Sequence, residues 1–287
     1  MQILKVIFTP ILAVFKFINN YFKVLIFMMI LFVLFVPNKP ITQPNLVRID
    51  INGMILDTDE IITQLEKARV DESIKGVLLY IDSPGGALSP SVELFMQISR
   101  LKQSKKVIAY AAGSMTSGSY YAGAGADKIY ANPGAFIGSI GVIMQAPNIS
   151  ELAHKIGISE QIVKAGEFKE AGTFTREWSQ MERKSLQTLV DGAYELFVSD
   201  VAKARNLDIK MRDEWANARV FLANDALKMG LIDNIGGYFD AVNELIRLSE
   251  VSEPVWQEKP KIEKILENLT KTGINSLITL FFSSNLR

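Results

Sequence analysis

Residues 76–126, GVLLYIDSPGGALSPSVELFMQISRLKQSKKVIAYAAGSMTSGSYYAGAGA, decide the fold. An apolar run of strand length follows Gly76 and breaks at the turn Asp82–Gly86. The stretch Leu88–Leu101 then repeats its apolar residues at helical spacing. A second buried run, Lys106–Ala112, comes next, and small residues from Ser117 to Ala126 read as another helix. Strand, helix, strand and helix in this order imply parallel strands joined by crossover helices, an α/β fold.

The pattern extends in both directions. Upstream, Leu46–Ile51 alternates as a strand ending at the turn Asn52-Gly53, and Ile61, Ile62, Leu65 and Ala68 recur at helical spacing. Downstream come the short strand DKIYA, the apolar run FIGSIGVIMQ and the helix ISELAHKIG. EQIVKAGEFKEAGTFT then reads as a strand running into a glycine-containing loop, and a long helix covers Arg176–Arg205. A further helix, Ala223–Met229, precedes the turn GLIDNIGG.

Before the first strand, Val24–Val36 is uninterrupted apolar sequence, and the following FVPNKPITQPN has no small-x-small cleavage site. An uncleaved signal anchor is expected. Lys5, Lys16 and Lys23 upstream outnumber Lys39 and Arg48 downstream, which keeps the N-terminus in the cytoplasm and the bulk of the chain outside. The expected organisation is an interfacial segment over 1–23, a transmembrane signal anchor over 24–36, a linker over 37–45, a catalytic domain over 46–250 and an amphipathic tail over 251–287. The tail's LITLFF is apolar enough to meet membrane lipid, a partner subunit or its own core.

Composition removes several classes of function. Lysine plus arginine and aspartate plus glutamate both number 31, so no basic excess exists for nucleic acid. No cysteine is present, which excludes a thiol nucleophile, a disulfide framework and cysteine-bound metal. The single histidine, His154, argues against a histidine-rich metal site, and neither a metal nor a cofactor is expected.

A serine presented where a strand gives way to a helix has its hydroxyl exposed rather than packed, which makes Ser117 the candidate nucleophile among Ser114, Ser117 and Ser119. It needs a base. His154 sits on a helical pattern and reads as a partly exposed helical residue. A lysine serves only when desolvation or nearby positive charge drives it well below its ordinary value of about 10.4. Lys102, Lys105, Lys184 and Lys203 read as solvated helix-face charges. Lys169, in the glycine-containing AGEFKEAGTFT, stands apart, although an exposed loop lysine paired with Glu167 or Glu170 fits the same residues. Oxyanion donors are usually backbone N–H groups, and DSPGG offers Gly86 while the residue after the serine offers Gly118. A plain strand-to-helix turn would use DSPGG equally well.

Taken in order, DSPGG, GSMTSGSYYAGAGADKIYANPGAFIGSIGVI, KAGEFKE and RVFLANDALKMGLIDNIGG resemble the signal peptide peptidase A family in its short, single-domain bacterial form, over roughly Leu46–Ile246. The resemblance implies a crotonase/Clp-protease-like ββα-type spiral behind an N-terminal transmembrane anchor. It implies Ser117 as nucleophile, Lys169 as general base and Ser139, in IGSIGV, as the serine that orients the lysine. It further implies a homo-oligomeric ring whose serine and lysine come from adjacent protomers, acting on signal-peptide remnants at the bacterial cytoplasmic membrane. The family usually has glycine where this chain has Ser119. Two alternatives stand beside this reading: a Clp- or crotonase-like enzyme in which His154 serves as base, or in which the serine plays no part and acyl-thioesters bind, and an inactive membrane-tethered scaffold.

Overall fold

Val77, Leu79 and Ile81 point to one side of their strand and Leu78 to the other, and all four are fully buried, so this strand must be covered on both faces. The computed structural model, which describes residues 16–31 and 43–258, supplies both layers. In chain order, residues 16–31 form helix α1 and β1 is Leu46–Ile55. They are followed by α2 (Asp59–Val70), β2 (Gly76–Gly86), α3 (Leu88–Leu101), β3 (Lys106–Thr116), α4 (Gly118–Gly123), β4 (Lys128–Ala131) and β5 (Phe136–Gly138). The remainder is α5 (Ser150–Lys155), α6 (Gln180–Arg205), α7 (Arg212–Trp215), β6 (Val220–Leu222), α8 (Ala223–Lys228), β7 (Asn234–Ile235) and α9 (Tyr238–Leu248). The contact pattern divides the chain at Gln43/Pro44.

The sheet runs β1-β2-β3-β4-β7, with every neighbouring pair parallel. This is a mixed α/β fold dominated by a parallel sheet. Leu94, Ile98 and Leu101 of α3 and Phe197, Val198 and Val201 of α6 join Val77, Leu79 and Ile81 in the larger core, while Ala241, Val242 and Leu245 of α9 cover Leu78, Ile108 and Tyr110 on the opposite face. β3 changes partner along its length. Its first half pairs with β4 at Ile108–Ala111, and its last three residues, Ser114–Thr116, pair with β5, which is antiparallel to β6. That exchange opens the sheet at the point where β3 ends.

Several boundaries differ from the sequence expectation. β1 continues past Asn52-Gly53 to Ile55, because between the Asn52–Asp82 and Met54–Gly85 pairs β2 carries one residue more than β1, and this bulge on β2 lets pairing resume. Residues 160–175 contain no strand: Val163 is fully exposed and none of these residues pairs with the sheet. The long helix starts at Gln180 rather than Arg176, because Ser179 forms a capping box with Glu182. The expected anchor over 24–36 falls partly on α1 and partly outside the described residues. Among the described residues no helix is long and apolar enough to cross a membrane. Residues 1–15, most of the linker and the tail beyond 258 lie outside the described residues.

Candidate active site

β3 delivers Ser117 to the opening of the sheet, and α4 begins immediately after it. Its backbone lies at φ 54° and ψ −125°, a conformation that costs a non-glycine residue on the order of 1–3 kcal/mol and persists only where neighbours enforce it. The neighbours are visible. The Ser117 N–H donates to the Gly138 carbonyl at 2.7 Å, and its own carbonyl accepts from the Tyr121 N–H at 3.0 Å. The half-buried side chain lines a pocket of about 180 Å³ together with Gly86, Leu88, Tyr121, Val142, Ile143 and Phe197.

The two other serines of this stretch are engaged elsewhere. The Ser114 hydroxyl pairs with that of Thr116 at 3.2 Å, and Ser119 is fully buried with its hydroxyl bonded to backbone. Among the three, Ser117 is the one that faces the pocket.

Gly86 and Gly118 meet across this pocket. The Ala87 N–H donates to the Ile55 carbonyl at 2.8 Å, so strand alternation turns the preceding N–H, that of Gly86, away from β1 and to the side where Ser117 lies. Both positions need glycine. A Cβ on Gly86 would stand 2.1 Å from the Ile55 oxygen, and one on Gly118 would stand 2.1 Å from the Ser91 hydroxyl and 3.3 Å from the Gly86 nitrogen. The two amides expected to hold an oxyanion are therefore close neighbours beside Ser117.

Ser139 is brought to the same place, because the Gly138 carbonyl that holds Ser117 belongs to the residue before it. Ser139 is half-buried at φ 51°, with its N–H donated to the Arg219 carbonyl at 2.7 Å. Lys169 is not brought there. It is exposed in a turn closed by its own N–H to the Gly166 carbonyl, on the segment 141–179, which carries Ile143, Leu152, Ile156, Ile158, Val163, Phe168 and Phe174 exposed to solvent.

The lysine-bearing loop is tied at its base. Glu170 accepts from Lys164 and Arg176, and Arg176 forks onto both oxygens of Glu182 at 2.9 and 2.7 Å. These Arg176 bonds, with the Ser179 N–H next, hold the Glu182 carboxyl at about 2. His154 is exposed on α5 and does not line the Ser117 pocket.

The pocket wall was not legible in the sequence. Tyr121 stacks on Phe197 of α6 with ring centroids 4.4 Å apart and planes 7° apart, and its hydroxyl donates to the Asp200 carboxylate at 2.5 Å. Burial first, and then that bond, raise the Tyr121 phenol well above its ordinary range. The pocket is further lined by the apolar Leu88, Val142 and Ile143. Asp82 carries no sequence signal beyond the expected turn, and that stretch is instead the end of β2; its carboxylate accepts from the Ser114 N–H at 3.0 Å and so tethers β2 to β3.

Comparison with known proteins adds lineage to this geometry. Residues 99–252 match the description of peptidase family S49. A protein of Synechocystis sp. named as a protease is 35% identical over 206 residues, covering 71% of this chain and 74% of its own. An Enterococcus faecium protein named as a signal peptide peptidase is 35% identical over 227 residues, covering 74% of this chain and 66% of its own. Protease 4 of Haemophilus influenzae is 30% identical over 223 residues; these span 74% of this chain and 35% of that longer protein. A solved membrane-bound stomatin-specific protease aligns over 71% of this chain at a TM-score of 0.47 and 17% identity, a likeness too loose to bear on the site. With a pocket-facing serine held in a forced turn beside two neighbouring glycine amides, and with these relatives, the chain belongs to peptidase family S49 and is a serine peptidase.

Proposed function

We propose that the protein is a membrane-anchored endopeptidase that hydrolyses signal-peptide remnants or other hydrophobic peptides through an acyl-enzyme on Ser117. The observation that carries this reading is the enforced backbone of Ser117 at the mouth of an apolar pocket, with Gly86 and Gly118 beside it. In the first step a neutral lysine amine, assigned to Lys169, takes the Ser117 proton as the Oγ attacks the scissile carbonyl. The oxyanion so formed accepts from the Gly86 and Gly118 N–H groups. The lysine ammonium then gives its proton to the leaving amine, and the acyl-enzyme forms. Water, deprotonated by the same amine, releases the acid and regenerates Ser117. Ser139 orients the lysine from the β5 side.

Lys169 is assigned to the site of an adjacent protomer in a homo-oligomeric ring. Its segment exposes a row of apolar side chains that a second copy would cover, and desolvation at such a boundary is what leaves an amine neutral. The fold is read as crotonase/Clp-protease-like. The exposed Phe17, Phe22, Phe27, Met28 and Met29 of α1 support attachment to the bacterial cytoplasmic membrane, with the catalytic domain outside.

The test is turnover of a hydrophobic peptide by Ser117→Ala, by Lys169→Ala and by the two mixed under conditions of subunit exchange. Each variant alone is expected to be inactive and the mixture to regain part of the parent rate. Full activity in either single variant refutes the dyad, and a mixture that stays dead refutes its division between protomers.

A further inference from the structure

Ser119 contributes a hydroxyl that the mechanism above does not use. The residue is fully buried in the first turn of α4, and every bond of its side chain goes to backbone at the active site. The Oγ accepts from the Thr116 N–H at 2.9 Å. It lies 2.6 Å from the Ser83 carbonyl oxygen and 2.8 Å from that of Thr116, and its single proton can serve one of them at a time. Thr116 is the last residue of β3, immediately before the nucleophile. Ser83 lies on β2, three residues before the strand ends at Gly86, and its own hydroxyl accepts from the Gly85 N–H at 3.1 Å. The Ser119 hydroxyl therefore stands between a donor on one strand and an acceptor on the next, at the point where the β2–β3 register becomes irregular.

We infer that Ser119 is a positioning residue, whose hydroxyl joins the nucleophile turn to the oxyanion loop and fixes the distance from Ser117 to the Gly86 N–H. The inference rests on the reading of Ser117 as nucleophile and Gly86 as donor. The physical argument is a matter of what else could hold that distance. β2 and β3 pair regularly up to Ile81 and Ala111; beyond that the register shifts and the strands meet again only where Ser83 pairs with Met115 and the Asp82 carboxylate accepts from the Ser114 N–H, before β2 ends at Gly86 and β3 runs into the forced conformation at Ser117. Removing the hydroxyl strips the buried Thr116 N–H and Ser83 carbonyl of this shared partner and leaves the Asp82–Ser114 bond and the Ser83–Met115 pairing, both nearer the middle of the strands, to resist a separation of a few tenths of an ångström that a transition-state contact does not tolerate.

The experiment compares the parent with Ser119→Ala, Ser119→Gly and Ser117→Ala on a hydrophobic peptide, with rates taken per active site after titration with a peptide aldehyde. The aldehyde's hemiacetal oxygen needs the same two amides as the transition state does. Ser119→Ala and Ser119→Gly are expected to lower kcat about five- to a hundredfold with KM within twofold, and to weaken aldehyde binding by the same factor as kcat. A merely structural role would reduce the number of active sites and leave kcat per site and aldehyde affinity at the parent values, and that result overturns the inference. Should both variants fail to fold, Ser119→Cys preserves the volume while weakening the hydrogen bonds, and the same split between kcat and KM is expected; parent kcat in Ser119→Cys overturns the inference. If Ser117→Ala retains activity, the nucleophile reading falls and takes this inference with it. If Ser117→Ala is inactive while the Ser119 variants match the parent, this inference alone falls.

Discussion

Replacing Gly86 with alanine probes the oxyanion loop through a single methyl group. The added Cβ would stand 2.1 Å from the Ile55 carbonyl oxygen and 2.6 Å from both the Ile55 carbon and nitrogen, well inside the 3.0 Å that real Cβ atoms respect. All three atoms are backbone, and the same oxygen receives the Ala87 N–H at 2.8 Å, so the clash has no flexible side chain to move aside. The loop must leave β1. Overpacking of this kind costs about 1–3 kcal/mol of stability. The functional loss should be larger, because the displaced segment carries the proposed oxyanion donor, and removal of one such donor lowers kcat by about 10²–10³-fold. Gly86→Ala is therefore expected to melt lower than the parent and, per folded molecule, to turn over a hydrophobic peptide at least a hundredfold more slowly, with a much smaller change in KM. Thermal denaturation followed by steady-state kinetics reads both. A folded Gly86→Ala enzyme with the parent kcat would refute the assignment of this amide.

Other perturbations test separate parts of the molecule. Gly192 lies mid-helix in α6 with nothing within 4 Å of an added Cβ, so Gly192→Ala should raise stability by about 1 kcal/mol, read as a higher melting temperature; an unchanged or lower value contradicts the open space seen there. The Glu182 carboxyl is held at about 2 by Arg176 and the Ser179 N–H, below an unfolded value of about 4.3. Its contribution is present above that unfolded value and is lost as pH falls toward 2, so the melting temperature should drop below about pH 4, and less steeply in Glu182→Gln; identical slopes would remove this residue from the acid response. Tyr121→Phe keeps the stack on Phe197 but removes the bond to Asp200, and should destabilise by roughly 1–3 kcal/mol while changing peptide preference little; a large change in preference would mean that the hydroxyl itself contacts substrate.

The regular part of the fold was legible because local patterns determine it. Leu94, Ile98 and Leu101 face one core at helical spacing, and α3 spans the expected Leu88–Leu101. β2 and β3 begin where their apolar runs begin. Features set by distant partners were not legible. β6 and β7 are three and two residues long, too short for any period, and exist because β5 and β4 offer edges. α9 was not anticipated although Ala241, Val242 and Leu245 carry the pattern, since its role depends on an uncovered second face of the sheet. The strand expected within residues 160–175 has β-forming residues and is paired with no strand of the sheet. At the site, the small residues around Ser117 signalled a turn. That the Gly138 carbonyl holds this turn, bringing Ser139 beside it, follows only from the pairing of β3 with β5.

The two halves of the proposed chemistry are built by different physical means, and this explains why one is complete in a single chain. Ser117, Gly86 and Gly118 are set by parallel strands with cores on both faces and by close backbone contacts that tolerate no Cβ at either glycine. A strained serine can be sustained there because many fixed neighbours share the cost. Lys169 rides on a segment with one six-residue helix, exposed apolar side chains and a polar tether through Glu170, Arg176 and Glu182 at its base. The tether fixes where the loop starts without burying its tip. A lysine must be desolvated to act as a base, and a tip with no core of its own acquires that desolvation only from another surface. Assembly would then supply the missing burial and the missing base together, so that the unassembled chain keeps a formed nucleophile without the means to deprotonate it. Dilution below the assembly concentration should accordingly abolish peptide turnover while the far-ultraviolet circular dichroism of the core is retained; turnover per chain that is independent of concentration in a demonstrated monomer would show that the base is supplied from within the same chain.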